Sequence, residues 1–447
     1  DPMLVTHIAG NVSRDLNMAS KINVERRVFT FEEAVLGLEG DSDFGSIPRN
    51  TSPGYPYIFG ESRHEPGKTY WFGKGPEYDV TNGRALELKA MCESIIEKAK
   101  NNIRDVHVFC DYLKDELRTI EKAEQGKTRI FSACPLVLLI VGRMYFGAFS
   151  LWMVKNRINN GSAIGVNPYS LDWHRIASRM KEKGSNCGAG DFSKFDGSEK
   201  PIFHWGIYSV IDQWYEGTPE ESLIRSVLWE ELVNSRHLHG DIVYEWSSSL
   251  PSGHFLTTLI NILYVFFALR YCWYRAMGNL IQLLRLFSKN VYVIGMGDDL
   301  TYSVTDEYKD VFNQRTISVF MAEIGLTYTD EHKNSAENMA PFKKLSEVSF
   351  LKREWRFEPF LDRYVAPLSM ETILEMPYWT QKGSEKDTIA TSKFKTALME
   401  LSLHSPGVWA EWAPKMISSY REAYREPLET TVRTELIRDS DSKEYWI

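Results

Sequence analysis

Apolar residues recur along this chain in a few distinct rhythms. From Gly83 to Asn101, Leu86, Leu88, Met91, Ile95 and Ile96 lie at helical spacing and predict one inward face. Leu136–Val154 is apolar almost throughout and reads as a second helix. The run HFLTTLINILYVFFAL, His254–Leu269, is 16 residues long and holds Thr257, Thr258 and Asn261. A spanning helix needs about 20 mostly apolar residues, so this run predicts a buried core helix and no transmembrane segment. VYVIGMGDDLTYSV, Val291–Val304, predicts a hairpin. Its first limb is β-branched and aromatic, Gly-Asp-Asp is turn chemistry, and Leu300–Val304 alternates as a half-buried strand should. Between Asn186 and Val304 strand-like runs alternate with helical ones, which implies a mixed sheet with helices packed on it. The C-terminal segment, including HSPGVWAEWAPKMISSYREAYREP, reads mostly helical. Gly/Pro-rich loops lie at Thr51–Tyr57 and Glu61–Pro76, and no stretch resembles a flexible linker, so any domains are packed together.

At 447 residues the chain can bury a large core and suggests roughly two to four structural units. The net charge of −8 excludes a basic coat, so nucleic-acid contact would need a local basic channel. Five cysteines (Cys92, Cys110, Cys134, Cys187 and Cys272) form no CxxC pair, which fits a reducing compartment and offers neither a disulfide framework nor a zinc site. His237 and His239 read as surface histidines rather than metal ligands. No signal peptide opens the sequence, and its first residue is Asp, which suits a product excised from a longer chain.

Candidate chemistry begins with the adjacent carboxylates Asp298 and Asp299. Such a pair repels itself and resists desolvation unless a cation relieves it. A solvated hairpin tip would explain an isolated GDD equally well. Upstream, GAGDFSKFDGS ends a small-residue strand at Asp191 and places Asp196 five residues later. If that strand lies beside the hairpin, three carboxylates converge, a donor set that suits Mg²⁺ ions completed by substrate phosphates. Taken alone, Asp191 and Asp196 would be ordinary loop acids. Ser252-Gly253 opens onto the apolar helix, where Thr257 and Asn261 share a face one turn apart. They either satisfy each other and nearby backbone, or read a substrate hydroxyl. KDELRTIEKAEQGKTRIF concentrates Lys114, Arg118, Lys122, Lys127 and Arg129, either a solvated face laced with Glu116, Glu121 and Glu124 or a triphosphate clamp. Two tempting motifs fail. Glu121 stands where a phosphate loop needs glycine, and Gly295-Met296-Gly297 meets two acids where a dinucleotide phosphate would sit.

In their order, KDELR…GKTR, D-x4-D, SG-x3-T-x3-N and GDD resemble the RNA-dependent RNA polymerases of positive-strand RNA viruses. More narrowly the chain is similar to the picornavirus-like group, of insect-virus type. Thr51-Ser52-Pro53-Gly54-Tyr55-Pro56 resembles that group's template-contacting finger loop, which implicates Thr51, Ser52 and Gly54. Gly325-Leu326-Thr327 followed by Lys333 resembles its lysine-bearing segment. Phe350-Leu351-Lys352-Arg353 resembles its primer-gripping hairpin, which implicates Leu351, Lys352 and Arg353. Met296 stands where the group usually has Tyr, and Pro53 replaces a commoner small residue.

The resemblance implies an α+β fold, a closed right-hand polymerase with an antiparallel palm sheet. Fingers would span 1–150 and 204–248, the palm 151–203 and 249–365, and the thumb 366–447. It implies template-directed RNA synthesis from NTPs. Asp191 and Asp298 would hold two Mg²⁺ ions, for which Mn²⁺ can substitute, with Asp299 assisting. Lys122 and Arg129 would hold the triphosphate, with Lys114 near its far end. Asp196, Ser252, Thr257 and Asn261 would read the ribose 2′-hydroxyl, and Lys333 would protonate the departing pyrophosphate. Implied partners are RNA template and primer, NTPs, a genome-linked protein primer and other viral replication proteins. The implied location is the host cytoplasm, at membrane-associated replication complexes reached through those partners. Rivals each lack a feature. A reverse transcriptase would want a bulky aromatic at Asp196, a metal-dependent nuclease would have no use for the clamp and sugar network, and an inactive scaffold none for clustered acids.

Overall fold

The structure is a computed structural model that describes residues 1–439 apart from 117, 332, 380–385, 426 and 429–432. The end of the expected thumb segment, 440–447, lies outside the described residues. Its strands are β1 (Val108–Leu113), β2 (Ile130–Ala133), β3 (Asn186–Ser193), β4 (Arg236–His239), β5 (Ile242–Glu245), β6 (Val291–Met296), β7 (Asp299–Val304), β8 (Thr327–Asp330), β9 (Arg356–Glu358) and β10 (Arg363–Val365). One sheet runs β2-β1-β4-β5, with β1 and β4 parallel. The central sheet runs β6-β7-β3-β8 and is antiparallel throughout. β9 and β10 pair as a small hairpin.

The central sheet is built around two predicted pieces. Val291–Val304 forms the expected hairpin, turning at Gly297, whose φ of +68° suits a residue without Cβ. β3 enters beside it, and its small residues are a packing requirement. A Cβ on Gly190 would stand 2.0 Å from the Tyr328 ring, so only glycine lets that tyrosine lie across the strand. The second limb of the hairpin is fully buried rather than half-buried as expected. Helices cover both faces. Leu171–Lys183 packs on β6 and β7, with Met180 beside Thr301, while Phe312 lies beside Tyr302 on the other face. Thr301 and Ser303 are therefore buried polar residues, and the Thr301 hydroxyl donates to the Gly188 carbonyl at 3.0 Å.

The predicted core helix is present as Thr257–Ala276 and is buried along most of its length. Its one deeply buried cation, Arg270, is matched by Asp15 at 2.8 Å and Asn11 at 2.6 Å from the first helix, Pro2–Ala19. Leu136–Lys155 is long and apolar enough to cross a membrane, yet 78% of its apolar stretch is buried inside the molecule, in the main core. The Gly83–Lys100 helix turns inward a face that keeps the expected Leu88 and Ile95 but not Leu86 and Met91. Ala85, Leu88, Cys92, Ile95 and Ala99 are buried, whereas Leu86 and Met91 are about half exposed. The C-terminal helices Met370–Glu375, Lys386–Ser402 and Pro406–Tyr424 enclose a separate apolar cluster that includes Leu398, Leu401, Met416 and Tyr420. The expected boundaries at 150 and 203 fall inside the helices Leu136–Lys155 and Pro201–Tyr215.

His237 is not on the surface. Its side chain is fully buried, with Nδ1 3.1 Å from the Asp111 carboxylate and Nε2 2.8 Å from the Ser235 hydroxyl. Tyr244 donates to the same carboxylate. The arrangement mimics a nucleophilic triad, but Ser235 has no exposed surface that a substrate could reach. It ties β1, β4 and β5 together instead. His239 is exposed and lies 3.1 Å from the Asp111 carbonyl.

Candidate active site

The carboxylates meet at one end of the central sheet. β3 pairs with β7 so that Gly190 lies opposite Leu300. One step further along each strand, Asp191 arrives beside the Asp298–Asp299 turn. Asp298 is half-buried, and its carboxyl is pushed up to about 6 by burial, then by the charges of Asp299, Asp196 and Asp191. Asp299 is pushed up by burial and Asp191 and drawn back by Lys352. Its side chain reaches solvent, which screens part of that push. Among the described residues no three His, Cys, Asp or Glu side chains close into a ready-made cage. The acids form an open, all-oxygen set under mutual repulsion. That is the donor chemistry a Mg²⁺ or Mn²⁺ ion takes when waters and phosphates complete its shell, so the residues fit a divalent cation.

Basic residues approach from two sides. Lys333 adopts a left-handed backbone with φ +61°, its amide donates to the Asp330 carbonyl at 2.8 Å, and its Nζ stands 3.8 Å from Asp191 Oδ2. At the Phe350–Arg353 turn, Leu351 and Lys352 have φ of +54° and +62°. The Lys352 charge reaches Asp299. Arg353 does not join them. Its guanidinium turns inward to the Glu400 carboxylate at 2.8 and 2.9 Å, the Tyr169 hydroxyl at 2.7 Å and the Ala366 carbonyl at 2.7 Å. It therefore stitches the turn to the Lys386–Ser402 helix, with its terminal N–H groups committed inside the fold rather than offered to RNA.

The hydroxyl-reading candidates divide in the same way. Asp196 sits in the short turn Phe195–Ser198, and its Oδ1 accepts from Asn261 Nδ2 at 2.8 Å. Burial pushes the Asp196 carboxyl up, while Asn261 and the Lys114 charge oppose the push. Asn261 Oδ1 is buried without a partner. Thr257 points elsewhere, its hydroxyl directed at the Pro251 and His254 carbonyls, both at 2.8 Å. Ser252 accepts from the Ser132 amide at 3.2 Å, and a Cβ on Gly253 would stand 2.0 Å from the Ser132 carbonyl oxygen. Glycine there lets the Ser252 loop close onto β2.

In the basic strip, Arg129 and Arg118 both bond Glu116, whose carboxyl they hold down at about 2. Arg129 is itself raised by Glu116, with Asp298 adding to the effect, and remains 62% exposed. Lys114 donates its amide to the Arg129 carbonyl at 2.8 Å, and Lys122 and Lys127 are exposed. The Thr51–Gly54 loop is held from beneath by Lys68, which is 2% exposed and donates to Thr51 and to the Pro48 carbonyl. Ser52 accepts from the Gly54 amide at 3.2 Å, and the Pro53 carbonyl accepts from Leu136 at 2.9 Å. Lys68 was missed because a lysine in a polar loop carries no periodic signal. Glu116 was visible only as one acid among several.

Comparison with known proteins places this geometry. The profile of the viral RNA-dependent RNA polymerase family matches residues 8–423. The chain is 41% identical over 403 residues to the replicase polyprotein of Cricket paralysis virus, covering 87% of this chain and 22% of that one. It is 40% identical over 392 residues to the replicase polyprotein of Drosophila C virus, covering 85% and 22%. It thus spans about a fifth of the length of these relatives. Among solved structures, the Sicinivirus 3Dpol RNA-dependent RNA polymerase aligns with a TM-score of 0.77 over 97% of this chain and 83% of that one, at 20% identity. That likeness shows the fold, an α+β closed right hand of fingers, palm and thumb whose palm sheet is antiparallel. With most of its length matched by the profile, the chain belongs to the viral RNA-dependent RNA polymerases of the picornavirus-like positive-strand group, enzymes that build RNA on an RNA template.

Proposed function

We propose that this protein extends an RNA 3′ end by nucleotidyl transfer, with Asp191 and Asp298 as the residues that hold divalent cations and Asp299 as their auxiliary. One observation carries the reading. Asp191 and Asp298, far apart in sequence, flank one end of adjacent strands, with Lys333 on one side and the Asp196–Asn261 pair on the other. Enzymes of this family use divalent ions, and Mg²⁺ is the ion proposed here, with Mn²⁺ able to replace it. When bound, the ions would lower the cost of deprotonating the 3′-hydroxyl and offset charge on the triphosphate.

The chain's own groups do the rest. Arg129 would exchange Glu116 for the triphosphate, aided by Lys122 and Lys114. Lys333 would give its proton to the pyrophosphate oxygen as the bond to the α-phosphorus breaks. Asp196 and Asn261 would bond the ribose 2′-hydroxyl, so a deoxynucleotide would leave buried polar atoms unpaired. Ser252 and Thr257 would shape the loop over that site. Thr51, Ser52 and Gly54 would contact template, and Leu351 and Lys352 the primer. We assign fingers to 1–150 and 204–248, palm to 151–203 and 249–365, and thumb to 366–447. A genome-linked protein primer and other replication proteins are proposed partners, in the host cytoplasm at membrane-associated complexes. The test is primer extension on a defined RNA template with Mg²⁺. Wild type should add ribonucleotides in preference to deoxyribonucleotides, and Asp298→Asn should add neither. Preference for deoxyribonucleotides, or full extension by the variant, would reject the reading.

A further inference from the structure

Beneath Asp196 lies a sealed acid–base pair that none of the proposed steps employs. Glu199 follows the Phe195–Ser198 turn directly, and His204 lies in the first turn of the Pro201–Tyr215 helix. Both side chains are fully buried, with Glu199 Oε2 2.8 Å from His204 Nε2. The two atoms are close but poorly aligned, and Glu199 Oε1 and His204 Nδ1 have no hydrogen-bond partner. Polar atoms left this way in an interior call for an explanation.

The surroundings supply one. The Asp196 carbonyl accepts from the Leu250 amide at 3.1 Å and the Ser249 hydroxyl at 2.7 Å. The Glu199 carbonyl accepts from the Ser249 amide at 3.2 Å, and the Lys200 amide donates to the Tyr264 hydroxyl at 2.8 Å. Tyr264 and Asn261 belong to the same buried helix. The turn that presents Asp196 is thus gripped through its backbone on two sides, and Glu199 with His204 ties it by side chains to the Pro201–Tyr215 helix.

We propose that Glu199 and His204 are a positioning pair that fixes the stance of the Asp196 turn, and through it the preference for ribose over deoxyribose. The inference rests on Asp196 reading the sugar. The pair also responds to pH. Burial pushes the Glu199 carboxyl up to about 7, His204 opposes that push, and the charges of Asp196 and Asp298 add to it. Among the described residues Tyr264, from the buried helix, also faces it, and its hydroxyl is pushed far above neutrality. As the carboxyl loses its proton, its charge draws His204 Nε2 into a charge-assisted hydrogen bond and the turn is held more firmly. Sugar selectivity therefore rises with pH across neutrality.

The measurement is the ratio of kcat/KM for a ribonucleotide to that for its deoxy analogue in single-nucleotide addition. Groups that serve both substrates equally cancel in this ratio. From about pH 6 to about pH 8, wild type should gain several-fold in selectivity. Glu199→Gln should show a flat profile and about tenfold lower selectivity at the upper end, the size of one weakened charged hydrogen bond. A flat wild-type profile overturns the proposal whether or not any variant folds. So does a folded Glu199→Gln protein with wild-type selectivity and profile. If Glu199→Gln does not fold, His204→Gln is measured in the same way, and a flat, lowered profile supports the pair while a wild-type one overturns it. Asp196→Asn separates this inference from the reading beneath it. Unchanged selectivity in that variant removes ribose recognition by Asp196 altogether, whereas loss there with none in the Glu199 and His204 variants removes only the pair.

Discussion

Asp298 sits half-buried among like charges, and its carboxyl lies near 6 as a result. A carboxyl raised above its ordinary value favours folding below that ordinary value, and the benefit is lost as pH rises through about 6. Replacing the charge removes the penalty. Without divalent ions at neutral pH, Asp298→Asn should be more stable than wild type by about 1–2 kcal/mol, allowing for solvent screening. The difference should vanish below about pH 4, where the native carboxyl is also protonated. Melting curves of the two proteins across that range decide it, and a variant that melts no higher at neutral pH contradicts the predicted repulsion. Lys333 makes a different demand. Lys333→Ala should slow single-nucleotide addition about 10²-fold or more while template affinity stays constant. Quench-flow addition rates with a binding titration check both halves, and an unaltered rate excludes proton donation by this lysine. Asp298 and Asp299 stand out in the sequence as paired acids at a turn, whereas Lys333, one lysine in the polar run Asp330–Asn334, is singled out only by the order of the motifs around it. Asp196 was legible too, but its partner Asn261 could be narrowed only to a helix face shared with Thr257. Which of the two bonds Asp196 depends on how the chain turns into the helix, and the Thr257 hydroxyl is occupied in making that turn.

Elements were read well where one periodicity governed them. The Val291–Val304 hairpin and the Thr257–Ala276 helix stand where their patterns put them. In the Gly83–Lys100 helix, Leu88 and Ile95 are buried where the periodicity of large residues puts them, but the rest of the buried stripe is carried by Ala85, Cys92 and Ala99. Small side chains let that face approach its neighbours closely, a property that counting large hydrophobic residues overlooks. The Phe350–Arg353 turn shows another limit. Lys352 and Arg353 are adjacent and both basic, yet one faces the acids and the other is buried against Glu400. Arg353→Met should therefore destabilise the fold by about 3 kcal/mol, since it leaves the buried Glu400 carboxylate without its cation and with only the Tyr169 hydroxyl as partner. Lys352→Ala should leave the melting temperature unchanged and weaken primed RNA binding instead. Denaturant unfolding and RNA titration of both variants separate the cases, and the reverse pattern would show that the two side chains had been assigned to the wrong tasks.

Across the whole molecule, a net charge of −8 coexists with exposed Lys114, Lys122, Lys127 and Arg129 on one strip. Binding of nucleoside triphosphate should weaken with salt despite the acidic total, because this local strip meets the phosphates. A fluorescence titration in which NTP affinity does not change with salt would place the triphosphate elsewhere. The strand order β6-β7-β3-β8 has its own consequence. β3, which brings Asp191, is the innermost early strand, and both its neighbours are encoded later in the chain. While the ribosome is still making residues before β7, the nascent polypeptide holds Asp191 on a strand with two unsatisfied edges. Long-range pairing of this kind forms slowly. A prematurely terminated translation product therefore has no partial catalytic competence, only an exposed strand that invites aggregation or degradation.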